Sequence, residues 1–352
     1  MDIEKVYSNL KIQFPNLEIY QNHSLAPYTT VNIGGPADIF VNCLNNEQFL
    51  SILQYVNNNN IKDFTILGNG SNVLISDSGI RGIVIKNSSS NIEILNQAEN
   101  DKNIDKIDTH RTENEPESYL DFNNLDYDES DKPEVLVKID SGVNLPYAIN
   151  YLIENGVTGL QWFAYIPGTI GGAIFCNIHG GNYHFSDYIH EIEIINLDTN
   201  QIKTYPKNEF GWDYDKSFFQ SNTNLVILSV VLKLHLGDPV RAKNTAEEWI
   251  KQKAKIQSMN STGSVFKNPK LEECLTIWNE QKSTGWIIDH ELKLKGYSIN
   301  DAQISPLHAN VIINKGKASA KDYLVLIKLI QSKVQEKFGF QLELEIKLLG
   351  DF

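Results

Sequence analysis

The chain has 352 residues, of which 41% are hydrophobic, so two or three globular domains are expected rather than one ordinary core. Its net charge is −13, but 14 acidic against 4 basic residues fall between positions 91 and 134, so the charge is mostly local and no basic stripe remains for nucleic acid. No apolar run is long enough to span a bilayer, the N-terminus lacks a secretory pattern, and the three scattered cysteines make neither a metal spacing nor a disulfide framework. A cytoplasmic protein without metal or membrane contact is therefore expected.

In chain order, Phe49, Ile52, Leu53 and Val56 recur at helical spacing behind Asn45 or Asn46 as the cap. Strands are expected over 64–67 and 82–86, with the glycine-rich stretch Leu67 to Asp77 between them. Positions 91–134 are acidic and poor in apolar residues, which predicts a poorly ordered insertion. Beyond it, 135–140 alternates like a half-buried strand, and Leu145, Ala148, Ile149 and Leu152 mark a helix capped by Asn144. A second glycine segment then runs from Ile166 to Asn182.

Strands follow over 189–197 and 224–236, the latter apolar on both faces and so central in a sheet. Composition shifts at 237–239. A helix over roughly 242–255, a strand over 309–314, a helix burying Tyr323, Leu326, Ile327, Ile330 and Val334, and a strand over 342–349 complete an α+β pattern with a separate C-terminal lobe. Cys43, Cys176 and Cys274 read as small packed hydrophobes.

Glycine serves where backbone must turn with positive φ or approach a ligand closely. Two glycine-dense segments about a hundred residues apart therefore point to backbone laid against something flat or anionic, such as a diphosphate. For either segment alone a ligand-free turn is an equal reading. The first lies between two strands and lacks the G-x-G-x-x-G spacing, which disfavours a Rossmann domain.

The two segments, together with Thr29 to Ala37, Gly263 to Pro269, Gly285 to Asp289, Leu294 to Tyr297, His308 to Asn314 and Leu342 to Gly350, occur in one order. In that order they resemble the flavin-dependent UDP-N-acetylenolpyruvoylglucosamine reductases of peptidoglycan synthesis. The resemblance spares only the first twenty-odd residues and the acidic stretch. It implies an FAD-binding fold of the vanillyl-alcohol-oxidase (PCMH) type with a C-terminal substrate-binding lobe. The corresponding division is 1–90 and 135–238 for the two flavin-binding subdomains, 91–134 for the insertion, and 239–352 for the lobe. It also implies a monomer that takes a UDP-sugar, with FAD as cofactor and NADPH as reductant. The FAD would be held by Gly34, Gly35, Gly68, Asn69, Gly70, Ser71, Asn72, Pro167, Gly168, Thr169, Gly171, Gly172 and Asn177.

By the same resemblance Ser264 is the proton donor and Glu345 the catalytic carboxyl, while Tyr214, Lys267 and Asn268 contact substrate or nicotinamide. Taken alone, Ser264 reads rather as a turn serine, and Glu345 can be read as part of a solvated strand face. The family pattern Tyr-Arg-x-Ser reads Tyr214-Asp215-Lys216-Ser217 here, so Asp215 replaces an arginine, and Lys216 is the nearest cation to serve in its place. His179 is also bulkier than the family's residue. These departures leave two other functions to weigh: a related FAD-dependent oxidoreductase or oxidase on another substrate, or a non-catalytic nucleotide-sugar-binding paralogue.

Overall fold

The computed structural model describes residues 1–97, 129 and 131–352. The heart of the acidic stretch lies outside the described residues. Its two ends, however, are strands: Ile92–Gln97 and Glu134–Asp140 pair antiparallel. Both join a six-stranded sheet in which Leu225–Leu236 lies between Ile189–Asn196 and Glu134–Asp140. That long strand is central as expected. Val226 and Leu228 enter one core, and Ile227, Val230, Leu232 and Leu234 enter another. The helices Leu145–Glu154 and Pro239–Ala254 pack on the second of these cores through Ala148, Ile149 and Leu152 and through Ala242 and Ala246.

The first sheet has the order Glu18–Ser24, Pro36–Cys43, Ile80–Asn87, Phe64–Leu67, with its last two pairings parallel. Helix Asn46–Asn58 covers it with Phe49, Ile52, Leu53 and Val56, all buried, and Asn45 caps it by accepting from the Gln48 N–H at 2.9 Å. Ile195, Leu197, Val226 and Leu228 complete this core, so the two sheets share apolar cover.

In the C-terminal lobe the strands Ser261–Ser264, Val311–Asn314, Ala302–Ile304 and Ser298–Ile299 form a four-stranded sheet under helix Ala320–Phe338. Ser319 and Asp322 form a capping box at the start of this helix, and Gly339 ends it at φ +83°. Asp77, from the first subdomain, also accepts hydrogen bonds from the Ala320 and Lys321 N–H groups, at 2.8 and 3.0 Å. The lobe is tied to the rest of the chain in a second way, because Val31, Ile33 and Leu74 sit in its core.

Three elements differ from expectation. Val73–Ile75, inside the first glycine segment, is a strand that pairs parallel with Lys347–Leu349. Within the second glycine segment, Ile170–Cys176 is a short helix whose Thr169 side chain accepts from the Gly172 N–H at 3.1 Å. The strand expected over 342–349 is regular only over Lys347–Leu349, with Glu345 in a bend before it.

Candidate active site

Between the first subdomain, the second sheet and the C-terminal lobe lies a cavity of about 840 Å³. Both glycine segments line it, one through Gly68 to Asn72 and the other through Pro167, Gly168, Thr169, Gly171 and Gly172. They touch one another directly. The Asn69 amide donates to the Gly168 carbonyl at 2.9 Å, and a Cβ on Gly68 would stand 2.8 Å from Thr169 Oγ1. Gly70 has φ +58°, and a Cβ there would run into the Tyr28 carbonyl at 2.2 Å, so this turn requires glycine for its shape as well as its space.

The backbone N–H groups of Asn69, Gly70, Ser71 and Asn72 meet no acceptor among the described residues. Consecutive unmatched amides on a cavity wall suit an anion such as a diphosphate. Beneath them lies Lys86, buried, with Nζ 3.4 Å from Asn69 Oδ1 and 3.1 Å from the Asn87 carbonyl. Burial pulls this ammonium down to about 8. The sequence signal for Lys86 was a lysine closing the apolar run Ile83-Val84-Ile85. Lys86 lies in a strand as expected, and it stands behind the cavity lining rather than in it. The donor set and the glycine cradle fit FAD.

The C-terminal lobe supplies the other wall with Gly263, Ser264, Lys267 and Glu345. Ser264 ends a strand whose continuation is pinned. Asn310 accepts from the Phe266 N–H at 3.1 Å and donates to the Phe266 carbonyl at 2.7 Å. The Glu345 N–H donates to the Val265 carbonyl at 2.9 Å, and Phe266 bridges Leu344, so Ser264 and Glu345 come from adjacent backbone segments. Burial, reinforced by the Asp215 carboxylate, pushes the Glu345 carboxyl up to about 8 against the opposing pull of His179 and Lys267. Lys267 pairs with Glu343 at 3.4 Å.

Several expected contacts are elsewhere. Gly34 and Gly35 do not line the cavity. A Cβ on Gly35 would sit 2.2 Å from the Asp77 carbonyl, so this pair allows one backbone to pack on another. Asn177 is buried in left-handed backbone at φ +45° and spends its amide on the Asp213 carbonyl and the Ser186 N–H. Asn268 accepts from the Thr284 N–H at 3.0 Å, which makes it a turn-fixing residue. Cys43 and Cys274 are buried as expected, but Cys176 lines the cavity, with the Asn72 amide 3.7 Å from its Sγ.

The correction with the largest chemical consequence is at the hairpin Trp212–Asp213/Lys216–Ser217. Asp215 takes φ +50° at its turn, and this conformation sends Asp215 into the cavity and leaves Lys216 exposed outside it. Lys216 is therefore outside the cavity wall where a substitute for the missing arginine is expected. Asp215 instead meets His179 at 3.0 Å, and Tyr214, itself outside the cavity lining, stacks on the His179 ring at 4.8 Å.

The comparisons with known proteins agree with this geometry. The family model for the UDP-N-acetylenolpyruvoylglucosamine reductase C-terminal domain matches residues 254–349, and the model for an FAD binding domain matches residues 112–205. The UDP-N-acetylenolpyruvoylglucosamine reductase of Trichormus variabilis is 32% identical over 340 residues, 96% of this chain and 88% of that protein. The chain belongs to this reductase family. The Clostridium novyi reductase is also 32% identical, over 95% of this chain and 93% of its own. The crystal structure of the Thermus caldophilus UDP-N-acetylenolpyruvylglucosamine reductase superposes with a TM-score of 0.66 at 25% identity, covering 95% of this chain and 99% of that one. The fold is accordingly the FAD-binding fold of the vanillyl-alcohol-oxidase type, here carrying the reductase family's C-terminal domain.

Proposed function

We propose that this chain reduces UDP-N-acetylglucosamine enolpyruvate to UDP-N-acetylmuramate with NADPH, as a step of peptidoglycan precursor synthesis. One observation carries the reading: a single cavity is lined both by the two glycine segments and by Ser264 and Glu345. Bound FAD supplies the relay by which hydride from NADPH reaches the enolpyruvyl double bond. The chain's own residues do the rest.

The amides of residues 69–72, with Lys86 behind them, hold the diphosphate of the cofactor, and Gly168, Thr169, Gly171 and Gly172 let the second segment lie close to it. Once hydride has added to one carbon of the double bond, the other carbon needs a proton, and in this reading the Ser264 hydroxyl gives it. A serine hydroxyl is a weak acid, so it works only beside strong developing negative charge in a site arranged to receive it. The Glu345 carboxyl, with its pKa near 8, is largely protonated at neutral pH. In that form it donates a hydrogen bond to the substrate carboxylate as charge builds there. Lys267 faces the nucleotide diphosphate or sugar, and Tyr214 supports the site from outside the cavity lining through His179.

In this reading 1–90 and 135–238 bind the flavin and 239–352 the substrate. A monomer is part of this reading. A nucleotide-sugar substrate and NADPH place the work in the cytoplasm. Stopped-flow mixing of the NADPH-reduced holoenzyme with UDP-N-acetylglucosamine enolpyruvate tests the reaction. Rapid return of flavin absorbance is expected, and return with oxygen but not with this compound would replace the reading by another flavin oxidoreductase.

A further inference from the structure

The substrate of the proposed reaction carries a carboxylate conjugated to the double bond, and negative charge grows on that carboxylate as hydride adds. A bare Asp215 carboxylate in the same cavity would oppose both binding and reaction by like-charge repulsion. The structure pairs it. His179, 36 positions earlier in the chain, places Nδ1 3.0 Å from Asp215 Oδ1, and both residues line the cavity with Ser264 and Glu345. The two places where the chain departs from the family pattern are thus one contact.

We propose that His179, oriented by Asp215, is the cationic group that receives the substrate's enolpyruvyl carboxylate. Asp215 fixes the ring through Nδ1 and stands beside it as a counter-ion. Tyr214 lies against one face of the ring, with its hydroxyl 3.3 Å from Nε2. Nε2–H is then the donor that turns from the tyrosine hydroxyl to a substrate oxygen. Glu345 feels both members of the pair, Asp215 opposing its ionisation and His179 favouring it, which places the imidazole in electrical contact with the catalytic carboxyl. The pair supplies local positive charge without adding net charge to the cavity wall.

The proposal rests on the reductase reading, and the test keeps the two apart. Oxidised holoenzyme is titrated calorimetrically with UDP-N-acetylglucosamine enolpyruvate and, separately, with UDP-N-acetylglucosamine, which lacks the carboxylate. His179→Gln should lose roughly tenfold or more in affinity for the first ligand and less than about twofold for the second. Asp215→Asn, which keeps the ring and removes its anchor, should lose less but with the same selectivity. The wild-type preference for the carboxylate ligand should also weaken as pH rises through the imidazole range, and the His179→Gln preference should not. Among the described residues the charged and titratable groups facing His179 include Asp215, Tyr214, His184 and Glu345, so the comparison is made between variants at each pH. Equal losses for both ligands, or no loss in either variant, overturn the proposal. Wild-type enzyme that fails to bind the enolpyruvyl ligand overturns the reductase reading instead.

Discussion

The cavity's two chemical walls solve different problems. The C-terminal wall places Ser264 and Glu345 by backbone pairing, with Asn310 gripping both polar groups of Phe266. Its geometry is set by hydrogen bonds to main-chain groups, and its residues lie within the stretch 254–349 that matches the family's C-terminal domain. The hairpin wall is set by side chains. Asp215, His179 and Tyr214 hold one another, and each could change if the others changed with it. A wall fixed by backbone preserves its catalytic residues, whereas a wall fixed by side-chain contacts can exchange one cation for another.

The sharpest way to probe that contrast is in the C-terminal wall. Ser264→Ala should slow the substrate half-reaction by roughly 10²–10⁴-fold and leave flavin reduction by NADPH within about twofold. Equal slowing of both halves in stopped-flow would show that Ser264 shapes the site rather than donating the proton. Glu345→Gln keeps a hydrogen-bond donor and should cost about 10–100-fold in the same half-reaction.

The pH behaviour of Glu345 follows from its sign. Its native pKa near 8 lies above the ordinary 4.5, so the folded state holds a proton that the unfolded chain releases between those values. Wild-type stability should therefore fall as pH rises from about 4.5 to 8. Glu345→Gln should remove part of that fall, by roughly 1–3 kcal/mol at pH 8, as read from urea midpoints at the two ends of the range. The substrate half-reaction should likewise fall in wild type as pH passes 8 and stay flatter in the variant.

Smaller effects sharpen the contrast from outside the site. Asp77→Ala removes a carboxylate that caps the Ala320–Phe338 helix across the lobe boundary and should cost about 1 kcal/mol in thermal stability with the chemistry unchanged. Lys216→Ala should leave both half-reactions within about twofold. A large loss would mean that the exposed lysine reaches the substrate and that the hairpin moves on binding.

The regular parts of this fold were legible because they are local. The helices over Phe49 to Val56 and Tyr323 to Val334 show their buried stripe at 3.6-residue spacing, and Asn45 and Asn144 each sit where a cap belongs. The strand Val73–Ile75 was not legible. Among the described residues its only regular pairing is with Lys347–Leu349, far away in the chain, and its residues are embedded in a glycine-rich turn signal. Gly34 and Gly35 show the opposite error, since a glycine needed for close approach of backbone to backbone looks in sequence like one needed for a ligand.

Within the site, motif order brought Ser264, Glu345 and the glycine segments into view because each lies in a short local motif, although the contacts that join them reach across the chain, as from Asn69 to Gly168 and from Val265 to Glu345. The His179–Asp215 pair was out of reach. The sequence showed two separate departures, and only the folded chain joins them across 36 positions. Alternation along an extended chain correctly puts Asp215 and Lys216 on opposite sides, but it cannot say which side faces in. The left-handed backbone at Asp215 decides that.

The most direct test of the account is a double-mixing stopped-flow experiment on the purified holoenzyme without oxygen, NADPH first and UDP-N-acetylglucosamine enolpyruvate second. The account predicts loss of flavin absorbance in the first mix and its rapid recovery in the second, with Ser264→Ala blocking only the recovery. Flavin that is reduced by NADPH but not reoxidised by this substrate in the wild-type enzyme would contradict it.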